Sequence, residues 1–293
     1  MKARSREALA GYGFILPNFA GFMAFTLLPV VASLLLSFYQ WDLLSWPPKF
    51  VGLGNYADLV RDEHFWQYCW NTVFMMIGIP ISMFGSLLLA VVMNQKLPGM
   101  TFLKTVYFLP SITSGIAIYV LWAWIYNPEF GLMNWLLAQC GVEGPRWLES
   151  TTWSKPALVI MGIWGSMGGI DLVLYLAALQ GIDPQLYEAA EMDGAGAWHR
   201  FWKITWPMVS PTTFFILIMG IIGGFQGGFD SAYIMTHGGP AGSTTTVSYY
   251  IYNNAYEWLH MGYAAAIAWF LFLVILIVTL INWFFSQRLV HYE

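Results

Sequence analysis

Charge is what this chain has least of. In 293 residues, Asp, Glu, Lys and Arg make up only 10%, against 58% hydrophobic and 18% aromatic residues. Soluble domains carry about 25% charged residues, so the composition excludes an ordinary soluble fold and calls for an apolar surrounding. The net charge of -4 comes without a basic cluster, which removes nucleic acid from the partners. Two cysteines occur, Cys69 and Cys140, and their spacing alone leaves pairing open. No G-x-x-x-x-G-K-[ST] loop is present, so the chain cannot supply an ATP site by that route. H-E-x-x-H and Cys or His pairs at metal-ligand spacing are missing as well, so no metal site is expected. His64, His199, His237, His260 and His291 fall in loops or at span ends. No nucleophile, base and orienting group converge, so no catalytic residue is assigned.

What is present is a series of apolar runs. They cover about residues 11–38, 70–93, 106–126, 157–179, 212–236 and 264–285. Each is near the ~20 residues that a membrane-crossing helix needs. The first follows Lys2, Arg4 and Arg6 but is too long for a signal-peptide core and lacks a small-residue cleavage site. The expectation is therefore an all-α, polytopic bundle of six transmembrane helices. A short N-terminal segment covers 1–10, one membrane domain covers 11–286, and a tail covers 287–293.

An even number of spans places both ends on one side. That side carries Lys2, Arg4, Arg6, Lys96, Lys104, Arg200, Lys203 and Arg288; the other carries Lys49, Arg61, Arg146 and Lys155. The positive-inside rule then puts both termini in the cytoplasm.

One polar island interrupts the runs, DPQLYEAAEMDGAGAWHRFWKITWP at residues 183–207, within the loop 181–209. Asp183 followed by Pro184 starts a helix, because Asp accepts free first-turn N–H bonds and Pro tolerates the first helical position. Gly194 can take a positive φ and turn the chain into a second helix. There Trp198, Phe201, Trp202 and Thr205 share one side, opposite His199, Arg200 and Lys203. That pattern predicts a helix lying along the membrane surface, aromatic face down.

Glu188-Ala189-Ala190, three residues, Gly194, nine residues and then Ile204-Thr205-Trp206-Pro207 resembles the EAA motif of binding-protein-dependent ABC import permeases, EAA-x3-G-x9-I-x-L-P, with Trp206 where Leu is usual. The resemblance implies the type I importer permease fold. It also implies that Glu188, Ala189, Ala190, Asp193, Gly194, Ile204 and Pro207 belong to a coupling helix docking in a separate cytoplasmic ATPase. Phe229, Asp230, Tyr233, Thr236 and Gly238-Gly239-Pro240 resemble the F-D-x-x-Y-x-x-T-x-G-G-P pattern of the carbohydrate-uptake branch. The short N-terminal region and the ending resemble the MalF-type member of a permease pair.

The same resemblance implies a set of partners. They are a second homologous permease and an ATP-binding cassette dimer holding ATP and Mg, with no cofactor in this chain. A soluble periplasmic or lipid-anchored sugar-binding protein would deliver a carbohydrate across a bacterial inner membrane, in contact with its lipid.

Two carboxylates fall inside the runs, Asp171 and Asp230. Asp at mid-helix costs ~2.5 to 3.5 kcal/mol on insertion scales, so it normally faces a cavity or a partner. Trp164, Gly168, Asp171 and Tyr175 follow at helical intervals in the fourth run; Gln226, Asp230 and Tyr233 do so in the fifth. Gly223-Gly224 and Gly227-Gly228 invite a kink there. Aromatic faces interleaved with polar groups suit a sugar, and these seven residues are the candidate substrate path. An ion-coupled secondary transporter would also be polytopic with intramembrane carboxylates, but it has no need of an EAA loop.

Overall fold

The computed structural model describes residues 2–95 and 98–289, with side chains for 11–95 and 98–284. Lys96, one of the charges in the topology count, and the tail beyond 289 lie outside the described residues. Five helical stretches are long and apolar enough to cross a membrane: Gly11–Leu36, Glu63–Met93, Ser154–Gln180, Ala197–Gln226 and Met261–Phe284. A sixth is a pair of helices, α6 (Met100–Ile112) and α7 (Gly115–Ile125), bent by 99°.

The chain divides into two compact units. One contains residues 2–62 and Ile251–Phe270. In it α1 (Lys2–Phe22), a π-helical turn and α2 (Leu28–Leu36) run to a two-stranded ribbon, β1 (Tyr39–Gln40) against β2 (Lys49–Phe50), with Tyr39 opposite Phe50. Helix α3 (Gly54–Arg61) is fixed through buried Asn55, whose amide donates to the Ser37 and Tyr39 carbonyls at 2.8 and 3.0 Å. Gly262 packs directly on the Tyr39 carbonyl, where no β-carbon fits. The Tyr263 hydroxyl donates to the Asp62 carboxylate at 2.8 Å.

The other unit holds Glu63–Tyr250 and residues 271–289. Helices α4 (Glu63–Met75) and α5 (Gly78–Met93) pack beside α9 (Ser154–Met167), α10 (Ile170–Gln180) and α13 (Trp206–Gln226). Leu87, Ala90, Leu172, Tyr175, Val209 and Ile216 form the apolar core shared by α5, α10 and α13. Between α5 and α9, the Ser86 hydroxyl donates to the Met167 carbonyl at 2.8 Å. A second cluster joins Trp122 and Tyr126 to Trp147, Ala157 and Met161, and the Tyr126 hydroxyl donates to the Ala157 carbonyl at 2.9 Å.

Four expectations are corrected. The run 106–126 is not one straight helix: Thr113 and Ser114 are extended, and the Thr113 hydroxyl satisfies the Leu109 carbonyl at 3.0 Å where the first helix ends. Span four breaks at Gly168–Gly169, the latter with φ -83° and ψ -137°, so residues 164–175 do not share one helical face. Span five ends at Gln226, and the chain restarts as α14 (Phe229–Ser231) after Gly228 at φ 81°. The fourth concerns the stretch read as a surface helix. Here α12 (Ala197–Arg200) passes through a π-helical turn, Phe201–Thr205, straight into α13. Trp198 meets Trp202 edge-on at 5.7 Å and Trp202 meets Trp206 at a tilt at 5.8 Å along this continuous helix, which explains the aromatic periodicity without a separate surface element.

Candidate functional site

The polar hairpin is built by local rules. Asp183 caps α11 (Pro184–Met192), accepting from the Gln185 N–H at 2.9 Å, with Pro184 in the first turn. At the far end Gly194 has φ +78°. Its N–H reaches the Glu191 carbonyl at 3.0 Å, and the Ala195 N–H reaches the Ala190 carbonyl at 2.9 Å. This pair of bonds is the Schellman closure, which a glycine at this position makes without steric cost. Space around Gly194 is open, and a β-carbon added there would meet nothing within 4 Å. The hairpin arms are tied by Tyr187 and Thr205 hydroxyls at 3.0 Å and by Arg200 to Glu191 at 3.1 Å.

Glu188, Ala189, Asp193 and Gly194 are exposed, and Ala190, Ile204 and Pro207 are half-buried. Ala190, Asp193, Gly194, His199, Lys203 and Ile204 line a hollow of about 510 Å³ on the hairpin. Met192 is 89% and Trp198 76% exposed, an apolar surface on an otherwise polar tip. Behind the tip, Tyr187, Phe201 and Ile204 pack on the core that contains Leu179, Ile182 and Val209. The hairpin is therefore continuous with the two spans that flank it, mechanically as well as in sequence.

Within the same unit a cavity of about 440 Å³ lies between α4, α5, α7, α9 and α13. Asp171 is the one of the seven candidate path residues that lines it. Ser82, Tyr119, Ser166, Ser231 and Thr246 add hydroxyls to its wall. Trp164 instead packs edge-on against Trp122 at 5.6 Å, beside a separate apolar pocket, and Tyr175 is fully buried in the core. Gly168 packs on the Tyr107 backbone carbonyl, while Gln226, Asp230 and Tyr233 are exposed and do not line the cavity.

Asp171 and Asp230 have one local context that sequence reading missed. Gly168-Gly169-Ile170-Asp171 and Gly227-Gly228-Phe229-Asp230 have the same spacing, and in both the helix breaks at the glycines and restarts with Asp in the first turn. Asp171 thereby stands in the first turn of the eleven-residue α10. The repeated G-G-x-D is legible in the sequence and marks both breaks. Asn71, which carries no sequence signal of its own, accepts from the Lys155 ammonium at 3.2 Å beside Thr72, which lines the cavity.

The family model for the binding-protein-dependent transport system inner membrane component matches residues 72–291. The chain belongs to this family. The probable ABC transporter permease protein YesP of Bacillus subtilis (strain 168) is 36% identical over 300 residues, covering 100% of this chain and 96% of that protein. The lactose transport system permease protein LacF of Rhizobium radiobacter is 36% identical over 285 residues, with 95% of this permease and 94% of LacF covered. A crystal structure of a bacterial ABC transporter involved in the import of the acidic polysaccharide alginate contains a chain that superposes with TM-score 0.86 at 25% identity, covering 99% of each. The protein is thus a permease subunit of an ABC importer.

Proposed function

We propose that this permease forms, with a second homologous permease, the inner-membrane path of a carbohydrate importer. A separate ATPase dimer, holding ATP and Mg, drives it through the 181–209 loop. Both termini and the hairpin face the cytoplasm in this reading, and a binding protein delivers sugar to the opposite side. Relatives named for lactose and for trehalose and maltose transport support the substrate class. The observation that carries the coupling role is the hairpin's construction. Its tip is exposed, while its two arms are anchored in the core shared by spans four and five.

ATPase closure would push on Glu188, Ala189, Ala190 and Asp193, and α12 would transmit that push to α13 with no flexible joint between them. Asp171 is assigned to the substrate path, since a carboxylate on a cavity wall can accept sugar hydroxyls.

The test is Gly194→Asp in the reconstituted importer. A β-carbon there meets no neighbour, so the only local cost is the left-handed backbone, about 1–2 kcal/mol or less for Asp. The variant should assemble and lose ATP-driven sugar uptake by at least about 10-fold, equivalent to ~1.4 kcal/mol in the driven step. Normal uptake with normal ATPase association would reject the coupling role.

A further inference from the structure

Residues 243–246, Ser-Thr-Thr-Thr, are polar yet buried, at 6, 0, 5 and 1% exposure. Buried hydroxyls and amides must be hydrogen-bonded, and part of this demand is met inside the segment 237–246 itself. The Thr244 hydroxyl donates to the Gly239 carbonyl at 2.9 Å, and the Thr245 hydroxyl donates to the Gly238 carbonyl at 3.1 Å. Gly238 and Gly242, at φ +77° and +70°, turn the chain. The segment is thus a preformed strap.

Its attachment to the helices depends on a few side chains. Asn71 of α4 is 1% exposed, and its amide donates to the Gly242 and Thr245 carbonyls at 2.8 and 2.9 Å. Both amide hydrogens are used, so the carbonyl end is the remaining group, and it accepts from the Lys155 ammonium at 3.2 Å. Lys155 also lies over the Phe74 ring at 5.4 Å. The ion pairs among the described residues join Arg146 to Glu149 and Arg200 to Glu191, so Lys155 has no carboxylate partner there. An ammonium can only donate and the two strap carbonyls can only accept, so together they fix the amide's carbonyl toward α9 and its NH₂ toward the strap.

Next to this clamp, the Thr72 hydroxyl accepts from the Val247 N–H at 3.0 Å, and Ser154 meets Ser243 at 2.9 Å. Thr72 and Thr246 both line the cavity. The foot of the strap is therefore part of the cavity wall.

We infer that the strap 237–246 is a lid on the cavity and that Asn71, oriented by Lys155, is the positioning residue that latches it shut. The inference rests on the proposed transport route. Opening the side that receives sugar requires both carbonyl bonds to Asn71 to break, and a lid without them opens when the ATPase closes, whether or not a binding protein is docked.

The experiment uses the complete importer in lipid vesicles. Asn71→Asp preserves size and the Lys155 contact but cannot donate to both carbonyls; Lys155→Met removes the donor to the Asn71 carbonyl and leaves that buried oxygen unsatisfied, which loosens the clamp. Both should raise ATP hydrolysis without binding protein by about 10-fold per assembled complex and lower the sugar transported per ATP. A purely structural role for Asn71 would lower the amount of complex and leave hydrolysis per complex unchanged, which would overturn the proposal.

A second arm does not depend on the fold tolerating those changes. The Gln67 amide donates to the Ala241 carbonyl at 3.3 Å, so Gln67→Cys with Ala241→Cys, on a background lacking Cys69 and Cys140, places two thiols on either side of the lid edge, within reach of a short, reducible bis-methanethiosulfonate cross-linker. Cross-linking should stop uptake and reduction restore it. Uptake at the unlocked rate while the pair is cross-linked would overturn the lid. Loss of ATP-driven uptake in the unaltered importer would instead refute the proposed function, and the inference with it.

Discussion

Glycine interrupts helices in the hairpin and in span four, whose helices wall the cavity, under opposite conditions. Gly194 turns the chain at φ +78° into open space, with no neighbour to meet a side chain. Gly168 has an ordinary φ of -113°, but the Tyr107 backbone sits where its β-carbon would be. The first is a conformational requirement at an exposed tip, and the second is a packing requirement inside a bundle. A helix bundle in lipid gains from close backbone approach at small residues, so the two kinds of site should fail differently when filled. Substitution at the tip should leave the permease assembled and inactive, whereas substitution in the wall should lose the assembly.

The sharpest test of this contrast is Gly168→Leu beside Gly194→Asp. Forcing a branched side chain against backbone should destabilise by ~3 kcal/mol or more, beyond the usual overpacking range because backbone cannot move aside. Thermal unfolding in detergent should show a much lower midpoint and little assembled importer for the Gly168 variant alone. Equal losses for both variants would erase the distinction.

Asp171→Asn is the next in size. It keeps volume and removes the charge from the cavity wall, so sugar uptake should show a raised KM of about 10-fold if the lost contact is formed equally in bound and moving states. An unchanged KM would remove Asp171 from the path.

Smaller still is Asp183→Ala, which deletes the cap of α11 and should cost ~1 kcal/mol of hairpin stability. Hydrogen exchange at the first turn of α11 should rise, while the helices of the cavity wall remain protected. The smallest effect belongs to Glu191→Gln. The Glu191 side chain is 70% exposed in its pair with Arg200, so the expected change is within ~0.5 kcal/mol, read as a shift in unfolding midpoint near the limit of detection.

The same contrast explains what can be read from sequence. The apolar runs are visible because hydropathy needs only composition over about twenty residues. The hairpin is visible because Asp183, Pro184 and Gly194 act through neighbouring backbone atoms, so cap and turn are local facts. The bend between α6 and α7 is hidden because the scale that reveals a span is blind to its axis, and the break at Gly168 shows only in the G-G-x-D spacing it shares with residues 227–230. The face expected for Trp164, Gly168, Asp171 and Tyr175 assumes one helical register, and the glycine break divides it: Trp164 packs on Trp122, Asp171 lines the cavity, and Tyr175 enters the core. Asn71 escapes sequence reading because a single amide in an apolar run declares nothing until its acceptors, more than 170 residues away, are brought to it.

The central claim, that the hairpin is the surface on which a separate ATPase acts, is tested most directly at Met192, which is 89% exposed at the end of α11. With Cys69 and Cys140 replaced, Met192→Cys should form a cross-link to the co-purifying ATPase, and the cross-link should vary with ATP, while an impermeant maleimide added outside intact cells leaves the thiol unlabelled. Rapid labelling from outside, with no cross-link to an ATPase, would contradict the account.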